Sequence, residues 1–502
     1  MGLLVAVLVF GLQIRRNVSI FDEGLALDGS VRVAKGEIPY RDFWTMYGPA
    51  SFYLVAGAFH AFPVSMFTMR AIWVALKAIV AVETLVLAWA LGGWRSAGLA
   101  FCLTLGLTTT VHPNHGYPAI PALAGALAAV LALATLDRPF LAGLLIGVTA
   151  LFRHDFAFCV SAACLVVLLV RVWEDRRAGL IGLGKTALGV AVPTLPVTAL
   201  LLCYVGVSPL LEQLFLFPST LPRYARLSIF AGLSMSPRWY RDYPDVPVKL
   251  LALATFVGLL ATALVFLVRA VRLHHPPRDP RQALALALTM LGLALANHAQ
   301  FRFDMYHIWP FLTAATPVLA TAPLICQKHP LRLLANVLAA AALFVIAVLG
   351  SDHVRGQARL AAIPLASVRG GGVFVPAEYQ NYNEVLEAVR MHTRPGDYIF
   401  SGATRHDRIH INDALMYFLT DRRIPVPYHE LNRGLIVTRP IQSEIVSALE
   451  SHRVRLLVLL DLDSTEPNLS AISSGVDLLD AYIRANFEQH AVVGRHQIWL
   501  RR

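Results

Sequence analysis

Charged side chains are scarce in this 502-residue chain, where Asp, Glu, Lys and Arg make up 15% of the residues against 56% hydrophobic. A soluble globular protein carries nearer ~25% charged residues, so this scarcity excludes a water-soluble fold for most of the length. Cysteine is equally thin and badly placed for cross-linking. Cys102, Cys159, Cys164, Cys203 and Cys326 all fall in apolar segments and none in the polar last third. That excludes a disulfide framework and a zinc site of CxxC type. The last third also has no GxGxxG, Walker or GxSxG sequence, and no internal repeat is evident along the chain.

What the chain has is a series of unbroken Leu/Ala/Val runs and a mean hydropathy of +0.58. Runs of about 16–24 residues match the ~20 needed to cross a hydrocarbon core of about 30 Å as helix. Lipid leaves backbone N–H and C=O groups no outside partner, so such runs are helices or closed barrels, and the lack of alternation selects helix. The predicted spans are residues 70–91, 96–111, 118–136, 139–152, 156–170, 185–206, 247–268, 282–297, 306–325 and 332–350, with two shorter apolar stretches at 1–14 and 48–62.

The formal charge of +11 reads as membrane topology plus an anionic ligand, with no nucleic acid, because many Lys and Arg residues sit in loops between apolar runs. Arg95; Arg138; Arg171, Arg176, Arg177 and Lys185; Arg269, Arg272, Arg278 and Arg281; and Lys328 and Arg332 mark alternate loops as cytoplasmic. Residues 112–117, 153–155, 207–246, 298–305 and everything after 351 are then outside, as is 15–69 if 48–62 dips in and returns. Arg15 and Arg16 count against that last placement. Beyond residue 350, strand and helix patterns alternate. Strands are predicted at Asp397–Ser401 and Val454–Leu460, with shorter ones at Val373–Val375 and Ile424–Val426. Amphipathic helices are predicted at Glu378–Met391, Asn412–Leu419, Gln442–His452 and Val476–Phe487, and a closing hairpin turns at Gly494. The expected organisation is a polytopic α-helical membrane domain over 1–350, with about 11–12 apolar segments, and an external α/β domain over 351–502.

Polar residues collect on the outer side. Asp22-Glu23 lies just past the first apolar stretch, where carboxylates can supply a general base, a metal ligand or an Arg partner. The bland alternative is a helix start, with Asp22 as the cap and Glu23 in the first turn. Arg153-His154-Asp155 sits between two apolar runs, either lining a pathway or forming a local ion pair. The stretch 297–307 carries His298, Arg302, Asp304 and His307, more ionisable groups than a tight turn needs. His112, His115 and Tyr117 form a weaker group bracketed by prolines. Arg223, Tyr224 and Arg226, with Arg238–Tyr243, suit a phosphate beside a sugar or headgroup, since guanidinium binds phosphate bidentately; an interfacial belt would look the same.

An Asp-Glu pair in the first external loop, an apolar segment entered through Gly48-Pro49, about a dozen apolar segments and an external C-terminus together resemble the GT-C glycosyltransferases. The chain looks most like bacterial relatives of protein O-mannosyltransferases and the lipid A aminoarabinose transferase. The resemblance implies transfer, with inversion, of a sugar from a polyprenyl-phosphate carrier to a lipid, glycan or protein acceptor. It places that reaction on the outer face of the bacterial inner membrane. It implies Asp22, with Glu23, as the catalytic acids. Arg153, Arg302, Arg223 and Arg226 are the donor-phosphate candidates, and His112, His115, Asp155, His298, Asp304 and His307 the substrate-binding ones. The family's second external acid has no counterpart in 112–117, so Asp155 or Asp304 would have to replace it. No metal ligand set is assigned, and a divalent ion stays open. The competing readings are a transporter or flippase using Lys77 and Glu83, a glycan polymerase or ligase, and a non-catalytic recruiting protein.

Overall fold

The apolar runs form helices, because in lipid only intrachain hydrogen bonds satisfy the backbone. The computed structural model describes residues 1–111, 115–228, 246–272, 279–325, 362–376, 378–408, 411–461 and 472–502. Expectations resting on His112, Arg238–Tyr243, Arg278, Cys326, Lys328, Arg332 and the run 332–350 lie outside the described residues. The helices are α1 (Gly2–Gly11), α2 (Asp22–Ala34), α3 (Ala50–Ala61), α4 (Met66–Thr110), α5 (Ala119–Ala134), α6 (Pro139–Phe152) and α7 (His154–Glu174). They continue as α8 (Arg176–Tyr204), α9 (Val207–Leu211), α10 (Phe217–Ala225), α11 (Val246–Arg272), α12 (Pro280–Ala299) and α13 (Met305–Ile325). Among the described residues, α4, α7, α8, α11 and α12 are long and apolar enough to cross a membrane, and α1, α3, α5 and α6 are shorter apolar helices. The protein is a multi-pass membrane protein.

The two spans expected at 70–91 and 96–111 are joined in α4, which breaks at Gly93 with φ 79° and ψ −168°. Only glycine takes that backbone cheaply, so the break falls where the sequence turns polar at Arg95. Helices α6 and α8 approach through small residues: a Cβ on Gly143 would lie 2.0 Å from the Thr186 carbonyl oxygen, the close packing that small residues permit between membrane helices.

The C-terminal part builds a four-stranded sheet from β1 (Phe400–Ala403), β2 (Leu456–Leu460), β3 (Phe487–Val493) and β4 (His496–Arg501), in the order β1-β2-β4-β3. The β1–β2 pair is parallel and the other two pairs are antiparallel. Helices α14 (Tyr382–His392), α15 (Leu415–Thr420), α16 (Arg439–Ser451) and α17 (Leu478–Asn486) lie within one or a few residues of the predicted ones. The expected strands at 373–375 and 424–426 do not form; single bridges Pro364–Phe374 and Tyr398–Arg423 stand there instead. The hairpin does turn at Gly494 (φ 57°), and its first strand begins at Phe487, directly after α17 ends.

This part docks tightly on α2 and its flanking loops. The Leu415 N–H donates to the Ile20 carbonyl at 2.9 Å, Trp44 N–H to Pro427 at 3.1 Å and Phe374 N–H to Arg15 at 2.8 Å. Gly24 lies so close to α15 that a Cβ would meet the Leu415 nitrogen at 2.2 Å. One apolar core runs from Leu127, Leu291 and Trp309 among the membrane helices to Leu415, Phe418 and Val458. The membrane helices and the sheet therefore share a core, and α2 is held between them.

Candidate active site

The first turn of α2 sets the site. The Asp22 N–H donates to the Ser19 hydroxyl at 3.0 Å, and the Ser19 N–H to Glu23 Oε2 at 3.0 Å, so Ser19 and Glu23 tie down the turn ahead of the helix, whose N-cap position is Phe21. Asp22 is not the cap. Among the described residues its carboxylate has one hydrogen bond, from the Ser19 hydroxyl to Oδ2 at 3.4 Å. Burial pushes this carboxyl up to about 6; Ser19 and His307 oppose the shift, and Glu23 and Asp304 add to it.

Glu23, one position on, turns the other way. Its carboxylate takes Arg70 Nε at 2.8 Å and Nη2 at 2.6 Å, with both side chains fully buried. Arg70 Nη1 also reaches the carbonyls of Ile14 (2.8 Å) and Arg16 (2.7 Å). The two acids thus divide: Asp22 faces His307 and Asp304, and Glu23 faces an α4 cation.

Three stretches far apart in sequence meet around Asp22. Arg153, at the break between α6 and α7, forks onto Asp155 at 3.0 and 2.6 Å and donates through Nη1 to the Tyr117 hydroxyl at 2.8 Å. Its guanidinium lies 5.8, 5.5 and 4.9 Å from the ring centres of Tyr47, Tyr117 and Phe156, a cationic centre walled by aromatic faces. His298, at the end of α12, stands 3.4 Å from Asp155. His307, in the first turn of α13, bonds Asp304 through Nδ1 at 2.8 Å, and its ring lies 6.1 Å from His298 and 6.4 Å from Tyr117. Arg302 Nε binds Asp304 at 2.6 Å, while Nη1 reaches the Ala225 carbonyl at 3.2 Å. Burial works to raise the Asp304 carboxyl, but His307 and Arg302 outweigh it and hold the group well below the usual carboxylate range.

Other candidates are placed differently. His115 is buried, and next to it Gly116 packs against α2, where a Cβ would lie 3.2 Å from Glu23 Cα. His154 points its ring at Phe215, 5.2 Å away. Arg223 and Arg226 are exposed, and Arg223 lies over its neighbour Tyr224 at 5.7 Å. Among the described residues the structure does not bring these two arginines to Asp22. It adds Tyr47, Tyr117 and Glu430 to the cluster. Tyr117 belongs to the proline-bracketed polar group already singled out in the sequence; nothing in the sequence marks Glu430.

A divalent ion has a poor donor set here. Among the described residues no three His, Cys, Asp or Glu side chains gather as metal ligands would, and Asp155 and Asp304 are each already taken by an Arg and a His.

No protein-family model matches the chain, and no curated protein matches it. Among solved structures, the chain is similar to ArnT from Cupriavidus metallidurans bound to undecaprenyl phosphate. The TM-score is 0.57 at 14% identity, over 99% of this chain and 97% of that one. The same protein in the apo state gives 0.59 at 12% identity, over 99% and 96%. From first helix to last strand the chain therefore carries the fold of ArnT.

Proposed function

We propose that this protein is an inverting membrane glycosyltransferase that moves a sugar from a polyprenyl-phosphate carrier to a hydroxyl on a lipid, glycan or protein acceptor at the outer face of the membrane. One observation carries the reading: Asp22 offers a half-buried, barely hydrogen-bonded carboxyl raised to about 6, beside the Arg153–Asp155–His298 and Arg302–Asp304–His307 groups. The fold of a protein crystallised with undecaprenyl phosphate supports it.

The chemistry follows. Arg153, with Arg302 and the two histidines, stabilises the carrier phosphate as it departs. The acceptor oxygen forms its bond to the anomeric carbon from the opposite side. The carbon–oxygen bond to phosphate breaks with its electron pair on phosphate, and the acceptor proton passes to Asp22. A transporter or flippase would line a pathway through the membrane with ionisable groups, whereas these gather at helix ends beside the C-terminal part.

Membranes containing the protein and a radiolabelled polyprenyl-phosphate sugar should move label to an acceptor; carrier binding without transfer would sink the proposal. In the same assay Arg153→Lys keeps the charge but loses the fork shared by Asp155 and Tyr117. Its donor KM is expected to rise about tenfold, one charge-assisted hydrogen bond's worth. Arg302→Lys should cost less, because the Arg302 fork is already occupied by Asp304 and Ala225.

The outer-face assignment rests on the basic short loops. With the native cysteines replaced, Ser447→Cys should react with an impermeant maleimide added to intact cells, and Arg281→Cys should not. The reverse pattern would invert the orientation.

A further inference from the structure

The C-terminal part sends one acid toward Asp22. Glu430 is 1% exposed. Its backbone is pinned on both sides: His429 Nδ1 bonds Asp28 Oδ2 at 3.0 Å, and the Leu431 N–H donates to Asn412 at 3.2 Å. The segment packs on the loop before α3, with Leu435 against Trp44 and Phe217. Glu430 Oε2 accepts from Asn432 at 2.7 Å, while among the described residues Oε1 is buried with no hydrogen-bond partner. The titratable groups facing it from other elements are Asp22 on α2 and Tyr47 on that loop, with the Met46 N–H beside them.

We infer that Glu430 is an acceptor-binding residue of the transferase site, supplied by the C-terminal part and aimed at the acceptor through Oε1. This rests on the transferase reading. A buried carboxyl oxygen without a partner is costly to keep, and among the described residues Glu430 pairs with no cation that would repay the cost. A phosphate does not belong beside two acids; its partners, Arg153 and Arg302, stand with the histidines. A neutral hydroxylated acceptor fits the acid side. Burial, with Asp22 adding, pushes the Glu430 carboxyl up to about 8 against the pull of Asn432 and Met46. At neutral pH it therefore carries a proton, and Oε1 can donate it in a hydrogen bond to an acceptor oxygen. Asp22 meanwhile takes the proton of the attacking hydroxyl. Docking of the C-terminal part thereby becomes a condition for holding the acceptor.

The test uses the full chain with a radiolabelled polyprenyl-phosphate sugar and a titrated cell-envelope extract as acceptor. Glu430→Ala should raise the apparent acceptor KM about tenfold, the loss of one hydrogen bond, with kcat and donor KM little changed. Glu430→Gln should restore the acceptor KM to within about threefold at pH 7, because an amide accepts from Asn432 and donates from the place of Oε1. An unchanged acceptor KM in Glu430→Ala overturns the inference. So does Glu430→Gln failing as badly as Ala at every pH, which would mark an anionic role. Wild-type protein that transfers no sugar overturns the transferase reading and this role with it. Melting of the purified full chain tells the failures apart, since it needs no turnover. A carboxyl raised from 4.5 to about 8 on folding contributes stability that is full below 4.5 and lost as pH rises to about 8. The melting advantage of Glu430→Gln over wild type should therefore widen from pH 5 to pH 8. A constant gap would overturn the protonated carboxyl on which acceptor binding depends.

Discussion

Asp22→Asn is expected to cut sugar transfer by roughly 10²–10⁴-fold, the usual cost of losing a general base, in a protein that folds and expresses normally. The two halves of that expectation rest on different atoms. The N-cap position is Phe21 and the Asp22 N–H goes to the Ser19 hydroxyl, so the amide disturbs no cap. The carboxylate gives up only a 3.4 Å contact with Ser19. Replacing a half-buried, partly desolvated acid by a neutral isostere also removes a desolvation cost, so Asp22→Asn should melt no lower than wild type at pH 7. Its raised carboxyl sets the pH dependence. A base works only when ionised, so wild-type transfer should fall as pH drops through about 6 and level off above it. A variant that expresses normally and keeps near-full transfer would leave Asp22 without a catalytic part. Activity down a hundredfold with melting intact would leave no structural explanation for the loss.

That Asp22 could be singled out at all follows from its position, an acid just beyond the first apolar segment. The helices were legible for a similar reason, since unbroken apolar runs admit few alternatives. Gly93 shows the limit. Two spans could be read either side of Trp94-Arg95, but only φ 79° at Gly93 explains how one 45-residue helical element contains both. The Arg153–Asp155 and His298–His307 stretches were conspicuous as polar interruptions, yet no local pattern says that they meet at Tyr117. Their meeting depends on how α6, α7, α12 and α13 pack, which periodicity does not encode. Arg70 was less visible still. It stands at the first position of the span predicted at 70–91, with nothing to mark a partner, whereas it is fully buried as the partner of Glu23. Glu430 is a single acid about four hundred residues from Asp22, and long-range docking alone brings the two together.

Glu23→Gln is expected to destabilise the protein by about 3–5 kcal/mol, the range for breaking a buried pair by removing one partner. The ion pair is two-pronged, at 2.8 and 2.6 Å, with neither side chain exposed. Gln retains one oxygen for the Ser19 N–H or one guanidinium nitrogen, but it leaves the Arg70 charge uncompensated. The loss should propagate locally, since Arg70 holds the carbonyls of Ile14 and Arg16 and so fixes the turn that delivers Ser19 to Asp22. Expression and melting temperature should drop together, while activity per folded molecule stays within a few-fold of wild type. That is the opposite of the result expected at Asp22. A paired change separates charge from shape. Glu23→Leu with Arg70→Met fills the same space without burying a lone charge, so it should recover much of the stability lost in Glu23→Gln, as apolar replacements of buried pairs commonly do. If Glu23→Gln instead melts like wild type and loses transfer, Glu23 acts on substrate and the ion pair with Arg70 is not what keeps it in place.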